Sequence, residues 1–491
     1  MPDTMSDTTI QASATAQHGF TPALAERLRA VLGDKGMITD PAEMGGYLME
    51  WRGLWTGRSP AILRPATTAE CAEAVRLCAE AGVRMVPQAG NTSMVGASVP
   101  HETGDEVVIS VSRMNRIIEV DPADMTMTVE AGAVLAAVQK AAADVECLFP
   151  LSLGAEGTAQ IGGNLGTNAG GNTTLRYGNA RDMVLGLEVV LPDGQVLDML
   201  RRLRKDNTGY CLRHLFIGAE GTLGIITKAV LKLYPRQRDT QVAFVAVESV
   251  DAALALLNRF QRHDGASLTA FEYMMRFGLE LVYRHIPGSA APLADPHEHY
   301  CLIELSSPRP DASLRQGIEA VLEAAMADGL VRDAVIAESD AQRAALWRLR
   351  EEHSEAQKRE GASIKNDVSV PVSRVPALIA DASAACRALI PGIRVCAFGH
   401  VGDGNIHFNL SVPEGADGAA FLKRWDEVAA AVNGVVRSLG GSFSAEHGVG
   451  RLKARTLAAW REGPELDLMR AIKRTIDPGN LMNPGKVVTL P

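Results

Sequence analysis

The stretch "GHVGDGNIHFN" (residues 399–409) gathers two imidazoles, a carboxylate and two amides around a glycine turn. If 393–400 and 406–412 pair as a hairpin, strand alternation puts His407 and Asn409 on one face, with His400 across the turn. Two imidazoles leave a metal undercoordinated. A third donor stands in "SFSAEHGVGRLK" (442–453), where Glu446 and His447 precede a glycine turn. Two histidines and one glutamate form a ligand set suited to catalytic zinc, with a position left open for substrate. An ordinary hairpin with hydrogen-bonded imidazoles fits the same spacing, which leaves both readings standing.

A second group could bind anions. "LWRLREEHSEAQKREGASIKNDVSVP" (346–371) carries Arg350 and Lys365. Arginine offers a carboxylate a bidentate fork, whereas lysine supplies a point charge. Arg350 fits equally well on a charged helical face with Arg348, Glu351 and Glu352.

Two glycine-rich segments lie in the first half. "PQAGNTSMVGASVP" (87–100) follows a short strand, and "SLGAEGTAQIGGNLGTNAGGNTTLRYG" (152–178) holds eight glycines among Asn, Thr and Ser. Glycine lets backbone amides approach a ligand closely, and consecutive N–H groups make an anion-binding nest. Neither segment has a phosphate loop's Gly-Lys-Ser/Thr ending or the Gly-x-Gly-x-x-Gly spacing of a dinucleotide fingerprint. Cofactor cradling and tight structural turns both remain open on composition alone.

These groups must be carried by a chain of 491 residues, too long for one ordinary core. From 61 to 111 the pattern reads strand, helix, strand, glycine loop, strand. Thr67 and Glu70 have capping-box spacing, and Gly82 suits the helix stop. Cys71 and Cys78, one heptad apart, read as packing residues. A strand is expected at 125–132, a hairpin at 183–199 around Pro192-Asp193-Gly194, and a closing strand at 223–235. The polar "RQRDT" near 236–240 marks a boundary. Beyond it, strands at 241–247 and 300–306 alternate with helices near 250–262, 312–328, 340–358 and 465–475, an α+β pattern.

Net charge is −9, from 49 basic and 58 acidic side chains, without a basic stripe, which argues against nucleic acid. Seven scattered cysteines without a Cys-x-x-Cys pair suggest a reducing compartment. Residues 1–20 lack the apolar core of a signal peptide and the arginines of a mitochondrial presequence. No apolar run is long enough for a membrane span. The expectation is a cytoplasmic protein with a loose N-terminal tail.

"PQAGNTSMVG", "GTNAGGNTTLRYG", "LRKDNTGY" and "LFIGAEGTLGIIT" closely resemble the FAD-binding segments of vanillyl-alcohol-oxidase-type flavoproteins. The resemblance runs from about residue 45 to 488. It is nearest to the branch holding D-2-hydroxyglutarate dehydrogenase, D-lactate dehydrogenase and glycolate oxidase subunits. It implies an α+β chain: a two-subdomain, PCMH-type FAD-binding domain at 21–238, a ferredoxin-like substrate domain at 239–460, and a C-terminal helical segment, 461–491, returning to the FAD domain. Gly90, Asn91, Thr92 and Ser93 would hold the pyrophosphate, with Gly96 in the same loop. Gly154, Thr158, Gly162 and Asn168 would line the cofactor further along, Gly224 and Ile226 would close over it, and Asn483 would join them. Relatives with covalent FAD often carry a His in the pyrophosphate loop; Gln88-Ala89-Gly90-Asn91 has none, so noncovalent FAD is expected. Ala89 and Ser93 stand where many relatives have glycine.

The same resemblance makes His400, His407 and Glu446 ligands of zinc. Arg350, Ser354, Lys365, Asn409 and His447 become substrate contacts, and His447 the general base. The implied reaction is oxidation of a D-2-hydroxy acid, D-2-hydroxyglutarate or D-malate, by hydride transfer to flavin N5. An electron-transfer flavoprotein or quinone would serve as acceptor, and a homodimer is implied. D-lactate or glycolate oxidation is the nearest alternative. A transferase of the alkylglycerone-phosphate-synthase kind and a noncatalytic flavin subunit are the others.

Overall fold

The computed structural model describes residues 19–490; the expected N-terminal tail lies almost wholly outside the described residues. The first lobe is built on two sheets. In one, strands Met37–Ile38, Ile62–Leu63, Glu106–Ser110 and Arg84–Gln88 lie in that spatial order, the last three parallel. Parallel strands need a crossover, and helix Thr68–Glu80 supplies one. Thr67 caps it by accepting the Glu70 N–H at 3.1 Å, while the Glu70 carboxylate turns back to the Ala66 N–H. The expected capping box is thus shifted by one residue at its return bond. Cys71 and Cys78 lie on the fully buried face of this helix.

The second sheet is antiparallel, in the order Ile117–Asp121, Thr126–Glu130, Ile225–Lys232, Val184–Val190, Val196–Met199. Its hairpin turns at Pro192-Asp193-Gly194, where the Gly194 φ of +87° requires glycine. One continuous apolar core joins the two sheets.

At Asp239–Val247 the chain enters an eight-stranded sheet. Its first four strands, Asp239–Val247, Leu268–Met275, His299–Ser307 and Val331–Ile336, are antiparallel in spatial order four-one-three-two. Helices Val250–Asp264 and Leu314–Ala327 pack on one face, giving the ferredoxin-like arrangement. Strand Arg394–His400 then pairs with Leu268–Met275, and Asn405–Ser411 with Arg394–His400. Ser363–Ile364 and Asp367–Ser369 border the edge.

The sequence pattern missed two of these strands. Leu268–Met275 ("LTAFEYMM") is nearly all buried, so it shows no alternation, and Glu272 interrupts its apolar run. Val331–Ile336 carries Arg332 and Asp333 on a half-exposed edge. The helix expected at 340–358 is two helices, Asp340–Glu351 and His353–Glu360, separated at Glu352. After helix Pro464–Ile476 the chain runs back to the first lobe, where Met482 bridges Met85 and the Asn483 N–H donates to Met85 O at 2.7 Å. Among the described residues, no helix is long and apolar enough to cross a membrane.

Candidate active site

A cavity of about 830 Å³ runs between the lobes, within the range of small-molecule and cofactor sites. Its two ends differ in chemistry. At the first-lobe end the chain leaves strand Arg84–Gln88 into the loop Ala89–Met94. The backbone N–H groups of Gly90, Asn91, Thr92 and Ser93 donate to no protein acceptor among the described residues. Four consecutive free donors lining a cavity form an anion nest, because unpaired N–H groups away from water are otherwise costly. The Asn91 side chain pins the loop instead of facing a ligand: its Nδ2 donates to the carbonyls of Gly46 and Met49, and its Oδ1 accepts from Ser98. Gly90 must be glycine, since a Cβ there would lie 2.4 Å from Thr158 O. Gly154, Thr158, Gly162, Gly224 and Ile226 line the same wall. So does Asn164, absent from the sequence reading; its buried Oδ1 has no protein partner. An elongated cofactor with a pyrophosphate fits this donor set.

Four expected contacts lie off the cavity. Gly96 adopts φ +68° where a Cβ would strike Trp55 and Arg451, so it serves loop packing. Asn168 sits at φ +52° and its Oδ1 accepts the Arg181 N–H. Asn483 is buried, donating from Nδ2 to Ala97 O and Glu220 O, and so ties the chain end to the nest loop. Asn409 shares the His407 face but is 3% exposed, its amide committed to Gln357 Oε1 at 2.8 Å. In each case the structure gives the amide or glycine a partner or packing role within the protein.

At the other end, strand Arg394–His400 delivers His400 and strand Asn405–Ser411 delivers His407 opposite Phe398. The turn approaches itself so closely that a Cβ on Gly399, at φ +148°, would lie 2.6 Å from Asn405 O. The His400 and His407 rings are 5.6 Å apart, and His400 Nε2 lies 3.1 Å from Glu446 Oε1. One donor atom from each of His400, His407 and Glu446 lies within 4.8 Å of the others, a separation one tetrahedral ion can span.

Behind His400 stands a residue the sequence did not single out. Glu272, its cross-strand partner, is 1% exposed and accepts from His400 Nδ1 at 2.6 Å and from Arg350 Nε at 2.7 Å. This carboxylate–imidazole pairing fixes the tautomer that turns Nε2 toward Glu446. Burial alone would push the Glu272 carboxyl up, but the charges of His400 and Arg350 outweigh it and hold it at about 2. His407 is pushed down to about 4 by burial, which favours a neutral, lone-pair-bearing ring.

A second acid, Asp367, organises the loop carrying Glu446 and His447. Its Oδ2 accepts the backbone N–H groups of Glu446 (2.9 Å) and His447 (3.0 Å), and its Oδ1 accepts Asn405 Nδ2 at 3.0 Å. Burial opposes ionisation, yet nearby His447, Lys453 and His407 keep this carboxyl well below its ordinary range. Asp367, His407 and His447 also meet the spacing for an ion, but the hydrogen bonds already filling Asp367 favour the other trio. His447 Nδ1 lies 3.5 Å from Asp367 Oδ2, leaving Nε2 free.

The cations complete the chamber. Arg350 is 6% exposed and lies over the Phe398 ring, so it belongs to the interior and not to the charged face of its helix. Lys365 lies between strands Ser363–Ile364 and Asp367–Ser369 and lines the cavity with Arg350 and Ser354. Burial, then the charge of Arg52, depress its ammonium pKa.

Two lobes, an anion nest at one end of a shared cavity and an ionisable cluster at the other, define a cofactor-dependent oxidoreductase architecture. Residues 59–200 match the FAD binding domain and residues 236–487 the FAD linked oxidases, C-terminal domain. The chain belongs to this family of FAD-linked oxidoreductases. Curated relatives include the probable mitochondrial D-2-hydroxyglutarate dehydrogenase of Oryza sativa subsp. indica, 39% identical over 94% of this chain and 80% of the relative. The D-2-hydroxyglutarate dehydrogenase of Xanthomonas citri pv. viticola is 38% identical over 91% of this chain and 93% of the relative. Among solved structures, p-cresol methylhydroxylase superposes with a TM-score of 0.73 at 17% identity, over 95% of this chain and 96% of that one. An alkyldihydroxyacetonephosphate synthase gives 0.71 at 18%, over 99% and 89%. The last two speak for the fold alone.

Proposed function

We propose that this protein oxidises a D-2-hydroxy acid, D-2-hydroxyglutarate being the best candidate and D-malate the next, to the 2-oxo acid with noncovalent FAD and zinc. One observation carries the reading: Lys365, a largely buried cation with no anionic partner among the described residues, lines the cavity beside the His400, His407 and Glu446 cluster. An unpaired buried charge is costly, and a substrate carboxylate supplies what the fold omits. The relatives' names support the substrate class.

Gly90 to Ser93 would hold the FAD pyrophosphate through their free N–H groups; bound flavin supplies a hydride acceptor. His400, His407 and Glu446 would hold zinc, which as a Lewis acid polarises the substrate oxygen. Arg350 and Lys365 then bind carboxylate, and Ser354 offers a hydroxyl from the same wall. His447, oriented by Asp367, takes the hydroxyl proton at Nε2. The nest loop carries no histidine, which supports noncovalent flavin. Electron-transfer flavoprotein or a quinone would reoxidise it.

The test is anaerobic mixing of the yellow protein with D-2-hydroxyglutarate, following the flavin band, before and after chelation. Bleaching that chelation abolishes and zinc restores is the expected result. Bleaching only by D-lactate or glycolate would move the substrate, and none with any of these acids would refute the reading.

A further inference from the structure

Arg350 and Lys365 come from the second lobe, but the opposite wall contributes a cation too. The loop 49–56 is closed by a bridge between Met49 and Thr56. Inside it, Glu50 is fully buried and accepts the N–H of Arg52 at 2.8 Å, that of Leu54 at 3.3 Å and Arg52 Nε at 3.2 Å. Arg52 Nη2 donates to Met94 O, next to the nest loop. One edge of the guanidinium is therefore fastened to the first lobe. Its Nη1 makes no protein hydrogen bond among the described residues, and the side chain lines the cavity with Lys365 and His447.

An ion pair alone would not need this placement. Glu50 could be matched by an arginine turned to solvent, yet the Arg52 side chain is only 14% exposed. Its charge bears on Lys365, making that ammonium harder to protonate. A fold that sets a guanidinium in the same chamber as a lysine lacking its own counter-ion has left room for an anion between them.

We infer that Arg52 is a specificity-determining substrate contact: it holds the far carboxylate of a dicarboxylic substrate against Lys365 while the hydroxy-acid end occupies the His400, His407, Glu446 and His447 end. This rests on the function proposed above and adds to it the origin of dicarboxylate preference. A monocarboxylic 2-hydroxy acid would reach the ionisable cluster without touching Arg52.

The experiment compares wild type, Arg52→Met and Arg52→Lys as FAD-loaded proteins. For Arg52→Met, KM for D-2-hydroxyglutarate should rise about 10- to 100-fold, the range for losing a charged hydrogen bond. The limiting rate of flavin reduction and kcat/KM for D-lactate should each change much less, and Arg52→Lys should recover part of the loss. FAD content should be equal in all three. An equal loss on both acids would assign Arg52 to loop structure and overturn the inference, as would no loss on either. Binding of 2-oxoglutarate and pyruvate, read from perturbation of the oxidised flavin spectrum, tests the inference without turnover. Wild type should prefer the dicarboxylate and Arg52→Met should not; absence of that preference in wild type, or its survival in the variant, overturns it. Failure of every hydroxy acid to bleach the flavin would instead refute the proposed reaction.

Discussion

Glu272→Gln should be among the most damaging single substitutions in the second lobe. The carboxylate is 1% exposed and accepts two charge-assisted hydrogen bonds, from Arg350 Nε at 2.7 Å and His400 Nδ1 at 2.6 Å. Glutamine keeps the volume but removes the charge, and its NH₂ end must face one of two donors. Holding the carboxyl at about 2, against an ordinary 4.5, corresponds to about 3 kcal/mol in favour of the ionised form. Breaking a buried ion pair by removing one partner costs about 3–5 kcal/mol, in agreement. Glu298→Gln is the control: Glu298 also pairs with an arginine, Arg276, at 3.1 Å, but is 69% exposed, and such pairs give about 0–1 kcal/mol. Urea unfolding of both variants measures the difference. A metal-competition titration should show zinc affinity down about 10–100-fold for Glu272→Gln, because His400 loses its orienting partner. Equal unfolding midpoints for Glu272→Gln and Glu298→Gln would refute the reasoning, whatever the metal does.

Asp367→Ala should slow flavin reduction by about 10–100-fold with FAD retained, since the Glu446 and His447 N–H groups lose their shared acceptor and the loop its position; stopped-flow reduction at wild-type rate would contradict this. Glu220 supplies a pH test. Burial raises its carboxyl from 4.5 to about 7 against the pull of the N–H groups of Val449 and Gly450. A raised folded value means that its stabilising contribution is present below 4.5 and is lost as pH rises through 7. The melting temperature of wild type should therefore fall relative to Glu220→Gln between pH 5 and 8, and parallel profiles would refute it.

What the sequence disclosed follows from how each feature is encoded. On composition alone the glycine-rich segment 87–100 suited tight turns as well as a nest, and the resemblance to FAD-binding segments singled out Gly90 to Ser93; the His400, His407 and Glu446 trio was legible as a candidate because metal-ligating residue types are rare in one hairpin and loop. Glu272 was hidden for the opposite reason. A lone acid in "LTAFEYMM" reads as an interruption, and only the pairing of two strands 128 residues apart in sequence brings it under His400. Asp367 follows Lys365 in a charged stretch that sequence pattern cannot distinguish from a surface bulge. Asn168, Asn409 and Asn483 show what residue type leaves open: the same amide can face a ligand, hold a turn as at Asn168 and Asn483, or bond a neighbouring side chain as Asn409 does with Gln357.

The position of His447 is registered to both lobes at once. Asp367 grips its N–H from the sheet that carries His407, and Glu220, from the lobe that carries the nest, accepts the N–H groups of Val449 at 2.7 Å and Gly450 at 2.9 Å. Gly448 between them adopts φ +81°, and a Cβ there would lie 2.7 Å from Glu220 Oε1. Any larger residue at that turn would be strained at this φ and would crowd the carboxylate that grips the loop. A side chain placed only by its own sheet would follow every small movement between the lobes. Held by an acid from each, it keeps a fixed relation to the ionisable cluster and to the cradle together, and the proposed reaction demands that relation, because flavin and substrate must be held in contact for a hydride to pass.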